Sequence, residues 1–471
     1  MVGGGGGAAP GAKLEVVKPL KPRPPLPGGP YLVVGLARSG QAAARVLAGR
    51  GEDVIGVDAA SPEGAEGLRA LGVEVNLDGD GVGVLERARC VVKSPGVPAE
   101  APVVAAARER GIDVLGELEL AWRLLPNPFV AVTGTNGKTT VTELVGHLWR
   151  TAAEPVAVAG NVGTPLSSLI DQVEPAATIA CECSSFQLED SSAFAPECAL
   201  ILNVAPDHLD RHGTLDRYLD AKLRVFANQG NDDVAVYNRS DPALRDRDLG
   251  GCAKRIAFCA DERPGDPDCA YSLAGGTIFA GADPLLDAAE LTLLGAHNAL
   301  NATAATAAAL ELGIARDAVR EGLRTFPGVP HRLERVAELD GVLYVNDSKA
   351  TNVAAATRAL EAFDGGVHVI LGGSSKGESF DPLAPVVAER CSAAYLIGDT
   401  AAEIEAALEP ARRAGVDVSR CDDLAAAVNA AAAAARPGET VLLAPACASF
   451  DAFTDFAERG DRFRELVQGQ V

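Results

Sequence analysis

The chain has 471 residues, 48% of them apolar and 23% charged, which is enough for about two to four buried cores in an ordinary soluble composition. A net charge of −22 argues against nucleic acid or an anionic membrane as a partner, because both select basic surfaces. The ten cysteines form no C-x-x-C pair, the histidines show no zinc spacing and no apolar run is long enough to span a bilayer, so a cytoplasmic enzyme with reduced thiols is expected.

Residues 1–29 are rich in glycine and proline and lack a continuous apolar stretch; they read as a disordered tail, not a signal peptide. Tyr31-Leu32-Val33-Val34 then reads as a buried strand. It leads into Gly35-Leu36-Ala37-Arg38-Ser39-Gly40 and an alanine-rich helix. A second strand over 53–57 ends at Asp58, which makes a βαβ unit with a carboxylate after its second strand. A strict G-x-G-x-x-G would need glycine where Ala37 stands, so a nicotinamide cofactor is not favoured and another nucleotide is expected at this helix start. A further strand runs through Val91-Val92-Lys93 into the turn Ser94-Pro95-Gly96-Val97.

Leu125-Pro126-Asn127-Pro128 reads as a linker. After it, the apolar run 129–132 meets Thr133-Gly134-Thr135-Asn136-Gly137-Lys138-Thr139-Thr140 and then a helix. Strand, glycine turn and helix start form the geometry that cradles a triphosphate on backbone amides and the positive helix end. Lys138 would reach the β- and γ-phosphates, and Thr139 would offer its hydroxyl to Mg2+. The full G-x-x-x-x-G-K-T pattern would require glycine at Val132, so the loop is a variant, but ATP is still the expected ligand.

Glu182 ends a strand over 177–182, where a carboxylate suits a metal ligand or an anchor for water. The alternative is a strand-end charge facing solvent. His208, in Asn203-Val204-Ala205-Pro206-Asp207-His208, follows the next strand and suits a second divalent ion, although a lone loop histidine is more often structural. Lys222, on composition alone, is a surface lysine. Asn298 and Asn301 open a helix, where they either cap it or read the nucleotide.

Arg332, in Pro330-His331-Arg332-Leu333-Glu334, is a planar fork suited to a γ-phosphate or an acyl phosphate. Strands over 342–345, 367–371, 394–397 and 440–443 alternate with alanine-rich helices. Asn346-Asp347-Ser348-Lys349-Ala350-Thr351-Asn352 follows the first of these strands with more polar groups than a turn needs. Lys376, in a glycine-rich turn, would face a carboxylate or simply lie at the surface. Ser449 reads as a hydrogen-bond donor and Cys447 as packing. The expected architecture is therefore α/β in three domains. A Rossmann-like N-terminal domain (30–126) precedes a phosphate-loop domain with a central parallel sheet (127–327) and a Rossmann-like C-terminal domain (328–471), with substrates between them.

Taken together, these strings resemble the Mur ligases of peptidoglycan precursor synthesis, from about Leu32 to Phe463. The phosphate loop, Glu182 and the Asp207-His208 string are shared with ATP-dependent relatives such as folylpolyglutamate synthases. Residues 330–334, 346–352 and 445–449 are similar to the D-glutamate-adding branch. The resemblance implies that ATP with Mg2+ activates the carboxylate of UDP-N-acetylmuramoyl-L-alanine as an acyl phosphate, which D-glutamate then captures. It places Gly134, Thr135, Asn136, Gly137, Lys138, Thr139, Thr140, Asn298, Asn301, Arg332, Asp347 and Lys349 on ATP. It places Glu182, His208, Thr139 and a carbamylated Lys222 on the metal, with Lys138, Glu182, His208, Lys222 and Arg332 catalytic. Leu36, Arg38, Ser39, Asp58, Ser94, Pro95, Gly96, Val97 and Asn161 would bind the UDP-linked substrate, and Thr351, Lys376, Ser449 and Phe456 would frame D-glutamate. A monomer is expected. The competing readings are a folylpolyglutamate-type ligase, a nucleotide-gated regulator without a covalent product and, more weakly, a nicotinamide oxidoreductase.

Overall fold

Short β-branched runs bounded by glycine turns and followed by alanine-rich helices produce three successive α/β layers in the computed structural model, which describes residues 21–375 and 377–470. The first sheet is parallel, in the spatial order Glu74–Asn76, Val54–Val57, Tyr31–Val34, Cys90–Lys93, Asp113–Gly116. Its central strand alternates: Tyr31 and Val33 enter one apolar cluster and Leu32 and Val34 the other, so both faces are covered.

The middle sheet has nine strands. Its parallel part runs Tyr271–Ala274, Lys254–Ala260, Val234–Asn238, Cys198–Ile201, Phe129–Thr133, Thr178–Glu182, Val156–Gly160. The strand Phe129–Thr133 again splits its side chains: Val130 and Val132 face the helices Lys138–Thr151 and Ala296–Glu311, while Phe129 and Ala131 face Trp122 and Phe194. Alanines fill the buried face of Ala296–Glu311, and such small side chains let that helix lie close to the sheet. The sheet is not wholly parallel. Thr277–Ala280 and Asp283–Asp287 add an antiparallel edge through the Gly275-Gly276 turn, a two-glycine hairpin signal.

The third sheet runs Glu334–Leu339, Val342–Asn346, Thr440–Leu443, Val367–Gly372, Cys391–Ile397, Asp417–Arg420, parallel except for its first pair, which turns at Asp340-Gly341.

Two expectations are corrected. Residues 1–20 lie outside the described residues, but 21–29 are seated on the body and are not a disordered tail. Lys21 Nζ lies 2.7 Å from Asp233 Oδ2, the Arg23 guanidinium sits 4.3 Å from the centre of the Trp122 ring, and Leu26 packs on the N-terminal core. A buried carboxylate and an aromatic face give these basic residues specific partners, which composition does not register. Nor are all the thiols free. Cys259 and Cys269 form a disulfide, because the parallel pairing of Phe258 with Tyr271 holds their Cα atoms 6.2 Å apart.

Candidate functional site

The strand Phe129–Thr133 delivers the glycine loop to the N-terminus of the helix Lys138–Thr151. Gly137 caps that helix at φ 82°, and a Cβ there would lie 2.6 Å from Asn301 Oδ1, so both the conformation and the closeness of Asn301 require glycine. Asn203 braces the loop: its Oδ1 accepts from the Asn136 N–H at 2.8 Å and its Nδ2 donates to the Asn136 carbonyl at 3.1 Å. Arg332 arrives from the start of the third domain and donates to Thr139 Oγ1 at 3.2 Å. Residues 193 positions apart thus meet at the phosphate loop.

Two lysines converge on one carbonyl. Lys138 Nζ donates to the Gly134 oxygen at 3.0 Å and Lys222 Nζ donates to the same oxygen at 2.8 Å. Lys222 is buried, not superficial, and its ammonium stands 4.2 Å from the centre of the Tyr218 ring. Burial, then the neighbouring Lys138, brings its pKa down to about 7, with Asp207 opposing. Burial lowers the Lys138 pKa too, against the pull of Glu182 and Asp207. Glu182 is buried at the end of its strand and accepts from Asn161 Nδ2 at 3.0 Å.

His208 begins a short helix in the left-handed conformation, φ 52°, half exposed, with its ring centre 5.0 Å from that of Phe186. The sequence reading missed the support beneath. His212 is buried, stacks on Phe186 at 5.2 Å with 2° between the planes, and lies 3.0 Å from Ser185 Oγ. Among the described residues no three His, Cys, Asp or Glu side chains are grouped to hold a metal.

A cleft of about 330 Å3 opens between the middle and C-terminal domains. Asn136, Gly137, Thr140, Asn298, Asn301, Arg332, Asp347 and Lys349, all named from the sequence as candidates for the nucleotide, line it together. Asn298 and Asn301 are buried; Asn301 Nδ2 donates to Asn298 Oδ1 at 3.1 Å, so neither serves as an N-cap acceptor. Burial pushes the Asp347 carboxyl up to about 7, with Arg332 as the main opposing influence. The reading missed Asn238, Phe258, His297 and Arg358, which also line it. Asn238 and Phe258 lie within strands and Arg358 on a helix, with no motif around them, while His297 sits unmarked beside Asn298 at the start of its helix.

A second cleft, of about 580 Å3, lies between the N-terminal and middle domains. It gathers Arg38, Ser39, Asp58, Ser94, Pro95, Gly96, Val97 and Asn161, together with the unforeseen Asp80 and Gln187. Leu36 is apart from this wall: its side chain is core, and its N–H donates to Asp58 Oδ2 at 2.6 Å. Asn161 faces this cleft while bonding Glu182 of the phosphate side, so it joins the two regions.

In the third domain Ser449 is buried, and the Thr351 N–H donates to the Lys349 carbonyl at 2.8 Å. Phe456, expected beside the amino acid, carries the Lys349 ammonium 3.7 Å over its ring. Lys376 lies outside the described residues. Arg459 escaped notice in the sequence. It is buried, donates to Ser348 Oγ and the Ser348, Cys447 and Ala448 carbonyls at 3.0–3.2 Å, and ties the 346–352 loop to the 445–449 loop. Burial lowers its pKa to about 10.

Three family models match successive stretches: the Mur ligase MurD-like N-terminal domain over 30–116, the Mur ligase middle domain over 132–309, and the Mur ligase glutamate ligase domain over 331–447. The UDP-N-acetylmuramoylalanine–D-glutamate ligase of Acidobacterium capsulatum is 42% identical over 451 residues, covering 94% of this chain and 96% of its own. That of Pelotomaculum thermopropionicum is 44% identical, covering 93% and 96%. Among solved structures, the UDP-N-acetylmuramate-alanine ligase MurC of Thermotoga maritima aligns with a TM-score of 0.58 at 21% identity, covering 94% of this chain and 100% of that one. MurF of Acinetobacter baumannii aligns with a TM-score of 0.58 at 17% identity, covering 93% of each. At such identities these structures speak to the fold alone.

Proposed function

The chain belongs to the Mur ligase family, and from that premise we propose that it joins D-glutamate to UDP-N-acetylmuramoyl-L-alanine, converting ATP to ADP and phosphate. The observation that carries this reading is the arrival of Arg332, from the third domain, at Thr139 of the loop 134–139, which itself carries Lys138. Bringing a carboxylate to a triphosphate sets anion against anion, and fixed cations offset that repulsion. The alanine carboxylate attacks the γ-phosphorus, ADP leaves and an acyl phosphate forms. The D-glutamate amine then attacks the acyl carbon, and phosphate departs.

In this scheme the 330 Å3 cleft takes the nucleoside of ATP, with Asn298, Asn301, Asp347 and Lys349 around it. The 580 Å3 cleft takes the UDP-linked substrate, and Asn161 marks its reactive end. Thr351, Ser449 and Phe456 frame D-glutamate. Arg332 spans two domains, so their closure both completes the charge and excludes water that would hydrolyse the acyl phosphate.

Mg2+ fits the donor chemistry present. Thr139 offers a hydroxyl, Glu182 a buried carboxylate and His208 a ring nitrogen. Bound there, the ion would neutralise phosphate charge. Lys222 supports the missing anionic donor: an amine must be neutral to add CO2, and a pKa near 7 leaves about half of it neutral at pH 7. Its carbamate would turn a cation into a carboxylate. Enzyme equilibrated with 13C-labelled bicarbonate is expected to show one carbamate carbon that Lys222→Ala lacks; equal spectra would remove the modification from the scheme.

The function itself is tested by coupled ADP release with UDP-N-acetylmuramoyl-L-alanine and a panel of amino acids. Turnover with D-glutamate, and not with L-glutamate, is expected. Turnover indifferent to the amino acid would overturn the proposal.

A further inference from the structure

Beside the 580 Å3 cleft lies buried charge that the proposed chemistry does not use. Lys93 ends the strand Cys90–Lys93 and is 2% exposed. Its Nζ lies 2.7 Å from Oδ2 of Asp190, whose side chain is 3% exposed, and also donates to the Val97 carbonyl at 2.8 Å. Arg108, from the helix Pro102–Glu109, reaches Oδ1 of the same carboxylate at 3.2 Å and donates to the Ala99 carbonyl at 3.3 Å. The main-chain oxygen of Asp190 accepts from the Gly116 N–H at 3.2 Å.

The arrangement has a direction. Asp190 belongs to the middle domain and follows directly on the helix Ser185–Glu189, which carries Gln187. Both cations belong to the N-terminal domain. Each uses one donor on the carboxylate and another on a carbonyl of the loop 94–99. That loop forms one wall of the cleft through Ser94–Val97, and Gln187 and Asn161 stand on the other. The two walls are therefore tied by a single carboxylate. A pair needed only for stability would not require second donors aimed at the substrate loop. Such a pair can often be replaced by apolar groups without loss of stability, whereas removal of one partner leaves an uncompensated buried charge.

We propose that Lys93, Asp190 and Arg108 are positioning residues: they hold the loop 94–99 at a fixed distance from the middle domain and thereby set affinity for the UDP-linked substrate. The proposal rests on assigning that substrate to this cleft.

The test compares wild type with Asp190→Asn, Arg108→Gln and the double variant Lys93→Met with Asp190→Leu, reading KM for each of the three substrates, calorimetric binding of the UDP-linked substrate and the melting temperature. Asp190→Asn is expected to lower the melting temperature. It should raise KM for the UDP-linked substrate about tenfold, with kcat changing less and the KM values for ATP and D-glutamate staying within about twofold. Arg108→Gln should move the same KM by about threefold. The double variant removes both charges at similar volume. It should recover the melting temperature but not the KM, because methionine has no donor for the Val97 carbonyl. Recovery of both, or a parallel rise in all three KM values, would overturn the positioning role. Failure of the substrate assignment looks different: wild type itself would not bind the UDP-linked substrate, whereas failure of the cluster alone leaves wild type binding normally and the variants equal to it.

Discussion

The two clefts of this molecule are built from opposite materials. The smaller, between the middle and C-terminal domains, is edged by charge: Arg332, Lys349, Arg358 and Asp347 line it, with Lys138 nearby on the Gly134 carbonyl. The larger, between the N-terminal and middle domains, is walled mostly by glycine, proline, serine and small apolar groups, with Arg38, Asp58 and Asp80 its only charged side chains among the described residues. A triphosphate, the ligand proposed for the smaller cleft, must be neutralised, and cations and backbone amides suit that. A long sugar-nucleotide, the ligand proposed for the larger cleft, would be held mainly by extended contact along its walls. On the assignment proposed here, the difference teaches that one fold would meet one ligand by electrostatics and the other mainly by geometry.

The sharpest way to break that contrast is Lys138→Ala. It is expected to reduce ADP release about a thousandfold or more, with calorimetric binding of the UDP-linked substrate unchanged; release at the wild-type rate would leave the lysine without a role. Arg332→Ala should cost about a hundredfold in kcat. Arg332→Lys should recover little of it, because a point charge does not reproduce the fork that reaches Thr139; full recovery would show that charge alone suffices. Asn161→Ala probes the join between the two regions, since Asn161 lines the larger cleft and bonds Glu182, the strand-end carboxylate whose field reaches Lys138. KM for the UDP-linked substrate should rise about tenfold together with a fall in kcat; a change confined to ATP would place Asn161 in the nucleotide site only.

The smallest effect concerns Asp347. Its folded pKa, about 7, lies above the ordinary 3.8, so the protonated form is favoured in the folded state. Its stability contribution is intact below about pH 4 and is lost as pH rises to about 7. Asp347→Asn should therefore raise the melting temperature by about 5 °C or less at pH 8 and leave it unchanged at pH 4. An equal shift at both values would detach the effect from ionisation.

What the sequence disclosed follows the same division. The phosphate loop was legible because its strand, glycines, lysine and helix are contiguous, and local geometry suffices. Three strands of the first sheet, Tyr31–Val34, Val54–Val57 and Cys90–Lys93, obeyed simple patterning, whereas the three-residue Glu74–Asn76 and the half-exposed Asp113–Gly116 carry too few apolar positions to show it. Lys222 looked superficial because its carbonyl partner is 88 residues away. Arg459 sits in an ordinary charged helix, and only the packed loops reveal its four acceptors. Gln187 was hidden for the opposite reason: it forms a capping box with Ser184, a local role that conceals its place on the larger cleft. The Gly275-Gly276 turn was a readable signal that parallel-sheet reasoning overrode.

The seat of residues 21–29 bears on how the protein is handled in practice. Asp233 is 3% exposed and receives Lys21, while Arg123 donates to the Pro25 carbonyl at 2.9 Å. A recombinant form trimmed to the first strand at Tyr31, the natural cut on motif grounds, would strand that carboxylate in the interior and uncover the face of Trp122. Fusion partners and purification handles are better joined upstream of Lys21, where the seated stretch stays whole.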